Sequence, residues 1–283
     1  MITFSYLCSL KHYYNIYMYK LIATDMDGTL FNEKSIISPY SREVLRAAHQ
    51  KGYKIVIATG RHHDDARRIV EDGLGIEAYK ISANGASIYT PNDIRIAYNP
   101  IEEDLVRKLT SLKTPAEVYI HLYMGDKWYC DKDDVDSRIH QAMSGFMYDV
   151  VDYKTFDSFH DCTKMCFIAR DAEGIEYMER TVEEMKDPRL SFFFTMARCF
   201  EAMDHKADKA LALSEILKVE NIDASEVVAF GDGMNDLNML KLAGKGLVMG
   251  NAVEELKNSL PGNQIIGLNS QDSVARYIET HLL

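Results

Sequence analysis

Basic charge is in short supply: 32 Lys+Arg stand against 43 Asp+Glu, a formal net charge of −11. That balance excludes nucleic acid as a general partner, because phosphate backbones are held by basic surface. Cysteine is scarce and odd in number, five in 283 residues. This argues against a disulfide framework and for a reducing, cytoplasmic setting. Long apolar runs are missing too. The opening stretch MITFSYLCSLKHYYNIYMYK is interrupted at Lys11 and has neither a charged start nor a small-residue cleavage site. It fits neither a signal peptide nor a bilayer span, which needs about 20 apolar residues, so no membrane partner is expected. Residues 1–17 read as an N-terminal extension that the fold does not need. Internal repeats and low-complexity tracts are absent. What remains, 47% hydrophobic and 27% charged, is a globular chain long enough for one large domain or two ordinary ones.

From Met18 onward, short apolar segments alternate with helical ones. Lys20–Thr24, KIVIAT (54–59) and YKISAN (79–84) read as strands, as do EVVAFGD (226–232), GLVMG (246–250) and QIIG (264–267). Between the first two, Ser38-Pro39 supplies an N-cap and a proline at the first helical position, and Gly52 closes the helix. A further helix is expected through Asp64–Glu71. Continuous apolar strands separated by helices predict a doubly wound parallel sheet covered on both faces. The middle of the chain differs, with longer strands (EVYIHLYM, TKMCFIA, LSFFFTM) and helices near 101–113 and 172–186. Residues 86–199 therefore read as an inserted α+β domain with a largely antiparallel sheet. The first domain is then discontinuous, 18–85 plus 200–283.

In an open parallel sheet, ligands bind beyond the carboxyl ends of the strands. Asp25 and Asp27 follow the first strand, Thr59, Gly60 and Arg61 the second, and Asn84 and Gly85 the third. GDGMND follows the strand at 226, bringing Asp232, Asn235 and Asp236. Four carboxylates gathered on one edge repel unless a cation sits among them, and ligands that are all oxygen suit Mg²⁺. A strictly extended D-x-D would turn both side chains the same way, one to attack and one to transfer a proton. Thr59 and the backbone N–H groups of the Gly28-Thr29 turn suit phosphate oxygens. Lys209, in DKALAL, supplies a cation at the start of a helix.

DMDGTL, ATGR, the lysine of DKALAL and GDGMND resemble, in order and spacing, the four motifs of the haloacid-dehalogenase-like (HAD) phosphohydrolases. SANGA and the large insertion are similar to the Cof-type branch. The resemblance covers about residue 19 to the C-terminus; the first and fourth motifs are highly specific together, the other two weak alone. It implies a Rossmann-like core, residues 86–199 as a cap that sets specificity, and Mg²⁺-dependent hydrolysis of a small phosphorylated metabolite such as a sugar phosphate, flavin mononucleotide or pyridoxal phosphate. It further implies Asp25 as the nucleophile that forms an aspartyl-phosphate and Asp27 as general acid/base. Thr59, Gly60, Asn84, Lys209 and Asn235 would bind the substrate. Asp25, the Asp27 carbonyl and Asp232 would hold the metal, with Asp236 acting through water or by orienting Lys209. Ala210 departs from the family's usual glycine after the lysine. The carboxylate at Asp27, where ion-pumping relatives carry threonine, favours turnover by water. A phosphosugar mutase of a neighbouring branch and an idle phosphometabolite sensor are the alternatives; the intact aspartate pair opposes the second.

Blander readings compete at individual positions. An EF-hand loop wants glycine at its sixth position, whereas Gly28 would be fourth, so that reading fails. Arg61 is equally a surface or salt-bridge arginine. His62 and His63 read as solvated or capping residues, and Asn84 as either a left-handed turn residue or a site-lining amide. Cys162 and Cys166 are weak as a zinc pair, with no partner pair nearby, and read as small buried residues on a strand. Phe192–Phe194 is expected to pack the inserted sheet.

Overall fold

In the computed structural model, residues 19–133, 135, 137, 138, 141, 146–196 and 198–283 are described. The expected extension 1–17 lies outside them. The chain divides into two compact units, one running to Ile96 and resuming at Asp208–Leu283, the other Ala97–Ala207.

The first unit is built on a sheet of strands β1 (Leu21–Thr24), β2 (Lys54–Ala58), β3 (Tyr79–Ser82), β4 (Ser87–Tyr89) and β5 (Arg95–Tyr98), followed later in the chain by three more. In the unit's second half, numbered in chain order across the whole protein, come β12 (Val227–Gly231), β13 (Lys245–Val248) and β14 (Gln264–Ile265). The order is β14-β13-β12-β1-β2-β3-β4-β5. Pairings from β14 through β3 are parallel, and β4 runs antiparallel to β3. Every residue of β1 and β12 is buried, which is why those segments carry no polar alternation: both faces are covered by helices. The first of these, Pro39–Gln50, starts as its sequence predicts, with the Ser38 hydroxyl accepting the Ser41 N–H at 3.0 Å. The helix expected to run to Glu71 is helical over His63–Arg68 and continues as a wider π turn over Ile69–Leu74.

Successive strands run outward from β1 on one side to β2 and β3, and the later ones outward from β12 on the other. The order therefore reverses between β1 and β12, the position at which an open α/β sheet leaves a crevice. Register puts Thr24 beside both Phe230 and Ile57, so β1, β2 and β12 end level with one another.

The second unit contains β6 (Val118–Met124), β7 (Lys127–Cys130), β8 (Tyr148–Val150), β9 (Cys162–Ala169), β10 (Leu190–Met196) and β11 (Cys199–Asp204) in the order β10-β11-β9-β6-β7-β8. The β7–β8 pairing is parallel and the rest antiparallel. Helices Glu103–Thr110 and Ala172–Glu183 cover one face. Leu105, Val106, Leu109, Ile175, Met178 and Val182 pack there against Ile120, Leu122, Phe167 and Phe200. Burying each such side chain is worth about 1.5–3 kcal/mol. Phe192 joins that core and stacks on Phe200 at 5.3 Å; the side chains of Phe193 and Phe194 lie outside the described set.

Both domain boundaries move. The hairpin partner β4 keeps residues 87–89 in the first sheet, and β11 keeps residues 199–204 in the second through its pairing with β9 and β10. Backbone pairing with a neighbouring strand decides the assignment, and no local composition marks it. Among the described residues, no helix is long and apolar enough to cross a membrane.

Candidate active site

Asp25 leaves β1 in extended conformation, its N–H bonded to Phe230 O at 3.1 Å. The chain then turns: Met26–Leu30 form a tight turn in which Met26 is buried and Gly28 has φ +77°. The expected extended D-x-D is therefore not what forms. The turn starts between the two aspartates and separates their environments. Asp25 is 5% exposed, whereas the Asp27 side chain is 51% exposed. Gly28 is required twice over, by its positive φ and because a Cβ there would run into the Asp232 carboxylate.

Lys209 joins the two halves. It opens helix Lys209–Glu220, capped by Asp208, whose Oδ1 accepts the N–H groups of Ala210 and Leu211 at 2.7 and 3.0 Å. Its buried ammonium donates to Asp25 Oδ1 at 2.6 Å and to Asp236 Oδ1 at 2.7 Å. A cation at a helix N-terminus opposes the helix dipole, and burial also disfavours its charge. The Asp236 and Asp25 carboxylates outweigh both, holding its pKa above the ordinary lysine value.

Asp236 has no oxygen to spare. Its Oδ2 accepts the N–H groups of Asp232 and Gly233 at 2.9 and 3.0 Å while Oδ1 holds Lys209. This engagement suits the orienting role better than direct ligation. Asp232 accepts the Thr29 hydroxyl at 2.6 Å. Oxygens of Asp25, Asp232 and Asp236 lie within 4.8 Å of one another. Like charges at that spacing repel by on the order of 3 kcal/mol per pair at an effective dielectric near 20, and Lys209 offsets only one of them. Burial pushes the Asp25 carboxyl well above the usual range, with Lys209 opposing and Asp236 and Asp232 adding to the rise. Burial likewise pushes Asp232 up to about 6, against the pull of the Thr29 hydroxyl. An all-oxygen set with two carboxyls so raised fits a hard divalent cation.

Thr59, at the end of β2, is buried; its N–H bonds Ile81 O at 2.8 Å and its hydroxyl accepts the Arg61 N–H at 3.0 Å. Asn84 is the left-handed turn residue expected, at φ +51°, and its Oδ1 accepts from Asn235 Nδ2 at 2.9 Å. A Cβ on Gly60 would meet that same Asn84 oxygen at 3.1 Å, so glycine lets the β2 end close on the amide pair. Lys209 thus links Asp25 to Asp236, and Asp236 accepts the Asp232 N–H, while Asn84, Asn235, Thr59 and Gly60 form a second linked group.

Arg61 keeps its salt-bridge reading, with a partner that the sequence does not name. It is the partner of Asp27, donating from Nε to Oδ2 at 2.7 Å and from Nη2 to Oδ1 at 2.6 Å, with its guanidinium 5.3 Å from the Phe31 ring centre. Asn251, unmarked in the sequence, donates to Gly28 O at 2.7 Å and accepts the Asn269 N–H at 2.9 Å. No short motif surrounds it. His62 caps its helix through Nδ1 to the Asp64 N–H at 3.3 Å. His63 is not solvated: it stacks on Tyr89 at 3.4 Å and reaches Asp93 at 3.1 Å.

The chain is similar to known proteins over nearly all of its length. A family model described as haloacid dehalogenase-like hydrolase matches residues 22–278. A Yersinia pseudotuberculosis protein named HMP-PP phosphatase is 32% identical over 261 residues, covering 92% of this chain and 94% of the relative. A haloacid dehalogenase-like hydrolase from Bacteroides thetaiotaomicron superposes with a TM-score of 0.81 at 27% identity, covering 93% of this chain and 99% of its own. One from B. subtilis gives 0.80 at 28%, covering 93% and 100%.

Proposed function

The chain belongs to the Cof-type haloacid dehalogenase-like hydrolases and is a phosphatase, and on that premise we propose that it hydrolyses a small phosphorylated metabolite through an aspartyl-phosphate on Asp25, with Mg²⁺ as cofactor. The observation that carries the reading is the bridge from Lys209 to Asp25 and Asp236, set beside Asp232 across the β1–β12 crevice. Asp25, Lys209, Asp232 and Asp236 gathered at one strand edge support the roles of nucleophile, phosphate cation and hard-metal ligands.

Asp25 attacks phosphorus, and the bond to the leaving oxygen breaks. Asp27 protonates that oxygen and then takes a proton from the water that cleaves the aspartyl-phosphate, returning Asp25 and releasing inorganic phosphate. Lys209 and the Thr59 hydroxyl hold phosphoryl oxygens, Asn235 is fixed toward them by Asn84, and Gly60 allows the close approach. Asp25, the Asp27 carbonyl and Asp232 would hold Mg²⁺, with Asp236 orienting Lys209; when bound, the ion neutralises carboxylate and phosphate charge together. Residues 97–207 would choose the substrate, of sugar-phosphate, flavin-mononucleotide or pyridoxal-phosphate type, and HMP-PP belongs in the same panel because the Yersinia relative carries that name.

The test is Asp27→Asn with p-nitrophenyl phosphate, whose good leaving group needs little acid. The variant should give a burst of nitrophenolate, then turnover slower by about 10²–10⁴-fold. No burst, with equal loss on good and poor leaving groups, would remove Asp27 from proton transfer.

A further inference from the structure

The second unit carries a cluster that phosphate hydrolysis does not use. On β9 and β11, Cys166 stands directly opposite Glu201, and Cys199 lies two residues before Glu201 on the same strand face. Their neighbours Phe167, Phe200 and Ala202 belong to the helix-covered core, so strand alternation turns Cys166, Cys199 and Glu201 to the sheet's other face. All three are buried, and ligand atoms from the three lie within 4.8 Å of one another. Lys164 donates to Glu201 Oε1 at 2.9 Å, and the Cys166 thiol reaches the same oxygen at 3.5 Å. The other oxygen is the anomaly. Glu201 is 4% exposed, yet among the described residues its Oε2 meets no hydrogen-bond donor. A buried carboxylate oxygen left without a donor is destabilising, and a bound cation would meet it.

We propose that Cys166, Cys199 and Glu201 form a binding site for a thiophilic divalent cation, Zn²⁺, on the inserted sheet. Sulfur ligands select zinc over the hard cations suited to the aspartate cluster. In a tetrahedral site with Zn–S near 2.3 Å, the sulfurs stand about 3.8 Å apart. The cluster therefore needs to contract by no more than about an ångström from its present limit. Charge also closes. Two thiolates and one carboxylate around Zn²⁺ leave one net negative charge, and the Lys164 ammonium, already on Glu201, neutralises it. Each thiol gives its proton to solvent on binding, and the Glu201 carboxylate supplies the oxygen ligand. With three protein ligands, a water completes the fourth position. Sequence spacing concealed the set, because Cys166 is completed by Cys199 from the next paired strand and not by Cys162, which points into the helix-covered core.

The test uses the full chain, reduced, stripped with chelator and held in excess Mg²⁺ so that the aspartate cluster is occupied. Titration with Cd²⁺ as the spectroscopic probe should raise an ultraviolet thiolate charge-transfer band that saturates at one equivalent and that Zn²⁺ abolishes. The Cys166→Ser/Cys199→Ser variant should lose the band, Cys162→Ala should keep it, and Glu201→Gln should weaken Zn²⁺ binding about tenfold or more. X-ray absorption of the Zn²⁺-loaded wild type, which depends on no variant's folding, should show two sulfur neighbours and otherwise oxygen. An oxygen-only shell, no band in the wild type, or an unchanged band in the double cysteine variant would overturn the site.

Discussion

Arg61 grips Asp27 with two hydrogen bonds, 2.7 and 2.6 Å, from two different nitrogens to two different oxygens. A fork of this kind fixes a carboxylate's plane as well as its position, and it acts on the more exposed of the two motif aspartates. The first prediction concerns this grip. Arg61→Ala should lower kcat on alkyl phosphates about 10–100-fold, because Asp27 must then be oriented anew in each turnover, while p-nitrophenyl phosphate suffers much less. Arg61→Lys, a point charge without the fork, should recover only part of the loss. Steady-state kinetics on the two leaving-group classes decide it, and an equal loss on both would make Arg61 a plain phosphate ligand.

Asp25→Asn should abolish turnover without costing stability. Its charge is disfavoured by burial and by Asp236 and Asp232, so a neutral amide relieves repulsion in metal-free protein. Lys209 keeps Asp236 as its partner. Calorimetry in EDTA should give a melting temperature at or above that of wild type; a marked drop would mean the carboxylate is structurally needed.

Lys209→Met should do the opposite. Removing the ammonium that two buried carboxylates share leaves uncompensated charge, a loss of about 3–5 kcal/mol. Adding Asp236→Asn should return part of it, since one stranded charge disappears. Urea denaturation of the two single variants and the double variant measures the coupling, and strict additivity would deny that the pair interacts.

The pH dependence of metal-free stability has a definite sign. The Asp232 carboxyl is raised in the fold from the ordinary 3.8 to about 6, and Asp25 is raised as well. A raised carboxyl binds its proton more tightly folded than unfolded, so the folded state carries extra protons between those values and stability falls as pH rises. For Asp232 the fall runs from about pH 4 to about pH 6, with a slope of at most about 1.4 kcal/mol per pH unit. Asp25 prolongs it upward. Melting temperatures in EDTA across this range should fall, Asp232→Asn should flatten the lower part, and saturating Mg²⁺ should restore stability at the upper end. A melting temperature that rises steadily with pH in EDTA would contradict the assignment.

The parallel core and the gathering of Asp25, Asp232 and Asp236 are legible in the order of the amino acids alone. Both follow from short-range physics: a strand buried on both faces is a continuous apolar run, and whatever polar residue ends it emerges at the sheet's carboxyl edge. Lys209 was legible because it starts a helix where the chain returns to the core, in a segment that resembles the family's lysine motif. The partners of these residues come from long-range folding. Arg61 finds Asp27 across 34 residues, Thr29 finds Asp232 across 203, and Lys209 finds Asp25 across 184, and no local periodicity encodes contacts of that range. The same holds for the unit boundaries, which follow strand pairing, and for Cys166 and Cys199, which meet only because β9 and β11 pair in one register. Met26 shows the remaining limit. The turn that parts Asp25 from Asp27 depends on burying its side chain in the core and on Gly28 passing close to Asp232, and both conditions exist only once the fold has closed.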